Sequence, residues 1–253
     1  MSTVPEPPRT VASLQVIELR QYTLHPGQRD VLIALFEREF VEPQQALGMP
    51  VIGSFADLDD ADRFVWLRGF SDMASRAPAL AAFYGGPVWQ RLRSAANATR
   101  VDRDTVLLLR PAFEGSGFAS PAASRRPEAA EHPPAGLVTA TICPLAAPAG
   151  EDLAALFERC VLPAWTAAGA EVIACLATES APNNFPRLPV REGEAVWVWL
   201  SRFADPAAQQ RHAEGLAACD EWCGSHWPAW REHLTAEPQT LRLLPTSGSA
   251  LRG

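Results

Sequence analysis

The sequence predicts an α+β protein made of two copies of one folding unit, and three observations lead to that prediction. The heptapeptide LIALFER at Leu32–Arg38 returns as LAALFER at Leu153–Arg159. Further blocks recur in the same order, among them FVWLRGFSD from Phe64 and WVWLSRFAD from Trp197. In each copy the apolar residues follow the periods of a strand, a helix, two strands, a helix and a strand. This order of elements is that of the ferredoxin-like split β-α-β unit.

The first copy shows each element in turn. VIELRQYTL alternates as a strand does, and HPG turns the chain. Leu32, Leu35, Phe36 and Phe40 then recur at helical spacing. PVIGSF and RFVWLRGF are rich in β-forming residues, and SDMASRAPALAAFYGG predicts a helix that begins at a Ser/Asp N-cap. DTVLLLRPAF closes the unit as a fourth strand.

A ferredoxin-like sheet carries both of its helices on one face and leaves the other face bare. Two bare faces in one chain are therefore expected to pack sheet to sheet and close an α/β barrel. The segment between the copies is rich in Pro, Ser, Ala and Gly and predicts a linker. The predicted division is a disordered tail at 1–13, repeat 1 at 14–113, a linker at 114–136, repeat 2 at 137–245 and a tail at 246–253.

Composition excludes several classes of function. The 253 residues are 47% hydrophobic and 20% charged, which is typical of a soluble globular protein. A net charge of −7 argues against a nucleic-acid partner, because phosphate binding needs a clustered basic surface. No apolar run is long enough for a membrane helix, and no secretory leader is recognisable, so we expect a cytoplasmic protein without a membrane partner.

Two residue types narrow the chemistry further. All 22 basic residues are arginine, and a chain without lysine cannot use Schiff-base chemistry, a P-loop lysine or a Tyr-Lys dehydrogenase pair. The five cysteines are irregularly placed and do not predict a secreted disulfide framework. We expect reduced and mostly buried thiols.

Several segments resemble the NIPSNAP family: ELRQYTLHPGQ, GSF, VWLRGFSDMASR and YGGPVW in repeat 1. APNNFPRLPVREGEAVWVWLSRFAD resembles the second repeat of bacterial tandem members. The resemblance runs over both repeats and implies the dimeric α/β-barrel superfamily. That superfamily also contains cofactor-free monooxygenases, small isomerases and haem enzymes, so the resemblance implies a fold more firmly than a function.

Strand alternation predicts which side chains face the barrel. In the strand VIELRQYTL we assign the apolar Ile17 and Leu19 to the helices, which turns Glu18, Arg20 and Tyr22 into the barrel. Arg20 must find a carboxylate, because guanidinium stays charged at any ordinary pH, and Glu18 is its predicted partner. The three inward residues are the predicted catalytic set, with Glu18 as the acid/base.

The same rule extends the predicted cavity to other strands. Val65 and Leu67 are assigned to the helices. A cavity with aromatic walls and a few polar groups is typical of a small-molecule site. The alternative is that the charged residues form only a buried structural cluster. The remaining residues predicted to face inward are Phe64, Trp66, Arg68, Phe70, Thr139, Thr141, Cys143, Trp197, Trp199, Ser201 and Phe203.

The connection TESAPNNFPRLPVREGEA in repeat 2 is long, polar and rich in proline. Loops at the mouth of a barrel often act as lids. We therefore predict that Asn183, Asn184 and Arg187 close over a ligand. The alternative is an ordered surface arm that packs on a partner subunit.

Histidines and cysteines give weaker signals. His212 and His226 are candidate haem ligands if the chain follows the haem enzymes of the superfamily. Cys219, Cys223 and His226 have a spacing that suits one helical face, but paired metal-ligand motifs are missing, so no metal is predicted.

The sequence therefore predicts a small-molecule-binding protein. The favoured hypothesis is a cofactor-independent enzyme, monooxygenase-like or isomerase-like, that acts on an anionic or carbonyl-bearing organic metabolite, with specialised metabolism as one context that fits. Two alternatives stay open, namely a haem-binding or haem-dependent protein and a non-catalytic interaction protein. Whether the chain forms a homo-oligomer is also left open.

Overall fold

The computed structural model describes residues 13–119 and 136–252. Its eight strands are β1 (Val16–Leu24), β2 (Val51–Asp57), β3 (Arg63–Phe70), β4 (Arg100–Pro111), β5 (Leu137–Pro144), β6 (Glu171–Thr178), β7 (Val196–Phe203) and β8 (Gln239–Pro245).

Four helices lie in each repeat, and two π-helical turns, Phe157–Val161 and Trp222–His226, interrupt the helical segments of repeat 2. The helices are α1 (Arg29–Glu39), α2 (Val41–Ala46), α3 (Met73–Gly85), α4 (Pro87–Ala98), α5 (Glu151–Leu156), α6 (Leu162–Ala167), α7 (Pro206–Ala217) and α8 (Trp227–Arg231).

The strands form one closed barrel in the order β1-β3-β2-β8-β5-β7-β6-β4. Each repeat contributes four consecutive strands of this order, arranged in the same way, and neighbouring strands pair antiparallel. The pairs β2–β8 and β4–β6 join the two repeats. The predicted fold, two ferredoxin-like repeats that close an α/β barrel, is confirmed.

Local sequence signals explain where elements begin. Asp72 caps α3: its carboxylate accepts from the Ser75 backbone N–H at 2.7 Å, and the Ser75 hydroxyl accepts from the Asp72 N–H at 3.3 Å. Gly27 has a φ of 74°, a left-handed conformation that suits glycine in the turn between β1 and α1. Both signals stand where the sequence predicts a boundary.

Apolar side chains from all eight strands fill the barrel interior, and helix residues take no part in that cluster. Ile17, Leu19, Val65 and Leu67 belong to it. The predicted facing is therefore wrong. The helices instead cover the opposite face of each sheet, where the side chains predicted to point inward lie.

Charge explains this inversion. A buried charge needs polar partners, and among the described residues the cluster that fills the barrel interior is apolar. The helix-facing side supplies them, because Arg76 of α3 and Gln44 of α2 are both buried there beside Glu18 and Arg68. Successive side chains of β1 and of β3 do alternate between the two faces of the sheet, as predicted.

The predicted C-terminal tail and the predicted linker both contain residues that pack against the barrel. Residues 246–252 lie along β2, where the hydroxyls of Ser54 and Thr246 are 2.7 Å apart and the Leu251 N–H donates to the Ile52 carbonyl. At the start of the predicted linker, Ser116 is buried and its backbone carbonyl accepts from the Cys175 N–H. The rest of the linker, 120–135, and the tail at 1–12 lie outside the described residues.

Within the described ranges, every helix is too short or too polar to cross a bilayer.

Candidate functional site

Three arginines converge on the carboxylate of Glu18 on the helix-facing side of repeat 1. Glu18 and Arg20 share one face of β1, Arg68 is directly opposite Glu18 on β3, and Arg76 comes from α3. Arg20 Nη1 and Arg68 Nη2 each lie 2.7 Å from Glu18 Oε2, and Arg76 Nη2 lies 2.7 Å from Oε1. All four side chains are fully buried. We call this group the Glu18 cluster.

The Glu18 cluster has more positive than negative charge. Among the described residues, Glu18 is the single carboxylate that the three guanidinium groups contact. The remaining hydrogen bonds from Arg68 and Arg76 go to neutral amides, and Arg20 Nη2 is buried without an acceptor among these residues. Buried charge of this kind is costly unless a counter-charge is supplied.

Glu18 is held in its ionised form. Burial alone raises the pKa of its carboxyl group, but Arg68, Arg20 and Arg76 lower it far more, so the pKa lies well below its usual range. Both oxygens accept short hydrogen bonds from arginine. This geometry indicates a fixed counter-charge and argues against the predicted acid/base role for Glu18.

Tyr22 extends the cluster toward an aromatic wall. Its hydroxyl accepts a hydrogen bond from Arg20 Nε at 3.1 Å, and its ring meets the rings of Trp66 and Phe64 edge to face at 6.0 and 6.4 Å. The Arg100 guanidinium carbon lies 5.3 Å from the centre of the Tyr22 ring. Polar and aromatic groups therefore meet at this residue.

A small cavity adjoins Tyr22 between the sheet and the helices. Its free volume is about 20 Å³, which is room for about one water molecule. A larger ligand requires the side chains around it to move. The indole N–H of Trp66, one of the lining residues, is buried without an acceptor among the described residues. The other lining residues include Tyr22, Phe36, Gln44, Tyr84 and Arg100.

The long connection of repeat 2, which we call the arm (residues 179–195), reaches across to this site. Arg76 Nη1 donates to the side-chain oxygens of Asn183 and Asn184 at 2.9 and 2.8 Å. The Phe185 ring stacks on Tyr84, with centroids 6.2 Å apart. The structure thus places two of the three predicted arm residues against the Glu18 cluster, whereas Arg187 is exposed.

The predicted residues of repeat 2 lie in a different layer. Cys143, Trp197 and Trp199 pack with the helices of repeat 2, apart from the Glu18 cluster. Thr139 and Thr141 alternate with barrel-lining residues of β5 and so face the same helices. The structure therefore divides the predicted cavity residues between two sites, and repeat 1 holds Glu18, Arg20, Tyr22, Phe64, Trp66 and Arg68.

The two candidate haem ligands lie in helical segments of repeat 2, and each has one buried ring nitrogen without a partner among the described residues, His212 Nε2 and His226 Nδ1. His212 is buried, and its ring lies 4.6 Å from Trp165 and 5.1 Å from Phe203. Burial lowers its pKa, which favours a neutral core histidine. His226 Nε2 lies 3.4 Å from a Glu221 oxygen. In the described part of the chain, His, Cys, Asp and Glu side chains form no group able to hold a metal ion.

Sequence reasoning missed several residues of the site. Arg76 shares one buried face of α3 with Leu80 and Phe83, at helical spacing. An arginine on the apolar face of a predicted helix indicates a buried ion pair, because a buried guanidinium group needs a partner. Gln44 and Arg100 carried no comparable signal in the sequence.

The chain was compared with known protein families and solved structures. The NIPSNAP family model matches residues 17–113. The crystal structure of an anthrone oxidase-like protein is 16% identical, with a TM-score of 0.59 over 96% of this chain and 98% of that one. A monooxygenase-like protein from Lactobacillus acidophilus is 13% identical, with a TM-score of 0.52 over 95% of this chain and 100% of that one.

A NIPSNAP-like domain protein from Burkholderia xenovorans is 27% identical and covers 42% of this chain and 92% of its own, with a TM-score of 0.38. No curated protein matches the sequence significantly. The two whole-length likenesses show the barrel fold, and the family match covers the repeat that holds the Glu18 cluster. Residues 17–113 therefore match the NIPSNAP family, within a chain that shares the α/β-barrel fold of these two structures.

Proposed function

We propose that the Glu18 cluster binds an anionic organic small molecule between the sheet and the helices of repeat 1. The observation that carries this proposal is the excess of positive charge, since three fully buried arginines share one carboxylate and Arg20 Nη2 has no acceptor among the described residues. A ligand oxyanion would supply both the missing charge and the missing acceptor.

The lining of the cavity narrows the ligand class. Aromatic side chains line the cavity, among them Phe36, Trp66 and Tyr84. The guanidinium carbons of Arg20 and Arg68 lie 5.5 and 5.2 Å from the centre of the Trp66 ring. Aromatic walls favour a flat, apolar body, and the charged cluster favours a carboxylate or an enolate at one end of it. An aromatic carbonyl-bearing acid meets both conditions.

We extend the proposal to catalysis without a cofactor. When a carbonyl compound loses a proton next to its carbonyl group, negative charge develops on oxygen, and a fixed arginine N–H in a dry site stabilises that charge. Formation of such an enolate is the first step of an isomerisation, and it also prepares a substrate for oxygenation. Arg20 is the residue we expect to stabilise it.

Binding of phenylpyruvate tests the proposal, because this probe combines an aromatic ring, a carboxylate and a carbonyl group. We expect the purified chain to bind it in isothermal titration calorimetry, and we expect Arg20→Met to weaken binding about tenfold or more. Thr141→Val, at the equivalent position of repeat 2, is the matched control and should leave the affinity unchanged. A wild-type chain that does not bind phenylpyruvate at millimolar concentration contradicts the proposal.

A further inference from the structure

Tyr22 has an unused hydrogen-bond donor beside the cavity. Its hydroxyl accepts from Arg20 Nε, which has no lone pair to offer in return. Among the described residues, the proton of the Tyr22 hydroxyl therefore has no acceptor. Tyr22 is 5% exposed and lines the small cavity together with Gln44 and Trp66. A ligand in that cavity would meet either this proton or the lone pair left after its loss.

The charges around Tyr22 favour its deprotonated form. Burial alone raises the pKa of the phenol, but Arg20 of β1, Arg100 at the start of β4 and Arg68 of β3 together lower it. The Arg20 and Arg100 guanidinium carbons lie 5.6 and 5.3 Å from the centre of the ring. The negative charge nearby, on Glu18, is already shared by three arginines.

Glu18 is not free to take a proton from a ligand. It is fully buried, and arginine N–H groups occupy both of its oxygens at 2.7 to 2.9 Å. Protonation would break these bonds and leave three guanidinium groups without a counter-charge. Three acidic side chains lie near Arg20, namely Glu18, Tyr22 and Tyr84. Tyr22 is the one of them that both hydrogen-bonds Arg20 and has an unused polar group at the cavity.

We propose that Tyr22 is the proton-transfer residue of this site and that Glu18 is a positioning residue that holds Arg20 and Arg68 in place. This inference rests on the proposed function. The Tyr22 phenolate takes the acidic proton next to the carbonyl of the bound compound. An O–H bond forms on Tyr22 as the ligand C–H bond breaks, and the electron pair stays on the ligand as an enolate beside Arg20. The phenol then returns the proton to the ligand.

The first experiment is a spectroscopic titration of the phenol. The chain has two tyrosines, so Tyr84→Phe leaves Tyr22 as the one tyrosine whose ionisation changes the near-ultraviolet absorbance. We expect its midpoint below the ordinary value of about 10. The double variant Tyr22→Phe, Tyr84→Phe provides the spectrum without any tyrosine ionisation. A Tyr22 midpoint at or above about 10 overturns the inference.

The second experiment follows proton transfer itself. The methylene protons of phenylpyruvate exchange with D2O through the enol, and NMR measures the rate. We expect the wild-type chain to accelerate this exchange and Tyr22→Phe to lose the acceleration by about 100-fold, with the affinity for phenylpyruvate changed by less than about threefold. Cys143→Ala, at the equivalent position of repeat 2, is the control and should exchange phenylpyruvate at the wild-type rate.

The outcomes separate the two proposals. Unchanged exchange in Tyr22→Phe, with binding intact, overturns the role of Tyr22 and leaves the anion-binding function standing. A wild-type chain that does not bind phenylpyruvate overturns the proposed function and with it the inference. Loss of exchange with retained binding, and near-ultraviolet circular dichroism that shows an intact fold, supports both.

Discussion

The two repeats share one order of strands and helices but bury different side chains between sheet and helices. Repeat 1 places Glu18, Arg20 and Arg68 between its sheet and its helices, whereas Thr139, Thr141 and Ser201 occupy the equivalent positions in repeat 2. One layer holds buried charges and a small cavity. The other has small polar groups at the matching positions, beside an apolar cluster that includes four buried tryptophans, Trp197, Trp199, Trp222 and Trp230.

The tryptophans show how repeat 2 uses the space. Phe157 lies 5.1, 5.4 and 5.5 Å from the ring centres of Trp197, Trp199 and Trp230, all of them buried. Large aromatic side chains of this kind stabilise a core by burying apolar area. Charges in the matching layer of repeat 1 do not contribute stability in that way, which is consistent with the binding role that we propose for them.

The largest effect should come from removing the carboxylate. Glu18→Gln leaves three buried guanidinium groups without a counter-charge, and we expect the free energy of unfolding to fall by about 3–5 kcal/mol. Thr139→Val makes a change at the same position of repeat 2 and should cost about 1 kcal/mol. Urea denaturation of both variants measures the difference. Equal losses in the two variants would show that the charged layer is no more sensitive than its counterpart.

Acid should act mainly on repeat 1. The folded-state pKa of Glu18 lies below its unfolded value of about 4.3, so its contribution to stability is complete above that value and is lost as the pH falls toward the folded pKa. We expect the free energy of unfolding to fall by more than about 2 kcal/mol between about pH 5 and pH 2. In Glu18→Gln this part of the pH dependence should disappear. If the free energy of unfolding fell equally with pH in the wild-type chain and in Glu18→Gln, the assignment of this pH dependence to Glu18 would be wrong.

The smallest expected effect concerns the contact between the repeats. Replacing Asn183 and Asn184 by alanine removes two acceptors of Arg76, so amide hydrogen exchange in the arm should accelerate by roughly tenfold. Global stability should change little, because the arm is a surface segment. Arg187→Ala, an exposed change in the same arm, is the control and should leave exchange unchanged. Unaltered exchange in the double variant would show that other contacts hold the arm.

The fold was predictable because its signals are local and repeated. Alternation defined β1 and β3, the Asp72 cap defined the start of α3, and the recurrence of the heptapeptide defined the second copy. The ends were less predictable. The residues after 245 lack strand or helix periodicity, yet Thr246 and Leu251 are held by hydrogen bonds to β2 that no local pattern reveals.

The site was predictable in part. Alternation placed Glu18, Arg20 and Tyr22 on one face and strand pairing set Arg68 beside them, but the choice between the two faces went wrong. That choice depends on where partners for the charges lie, and the decisive partner, Arg76, comes from a helix. Pairing between a strand and a helix is a tertiary contact that periodicity within either element does not show.

The closure of the barrel within one chain has a consequence for stoichiometry. Two identical subunits that close a barrel must carry the same residues in both halves, and so hold two equivalent ligands. Here the strand pairs β2–β8 and β4–β6 tie two unequal halves together. Repeat 2 therefore need not carry the charges of repeat 1, and its arm can reach over repeat 1. We expect one ligand for each chain.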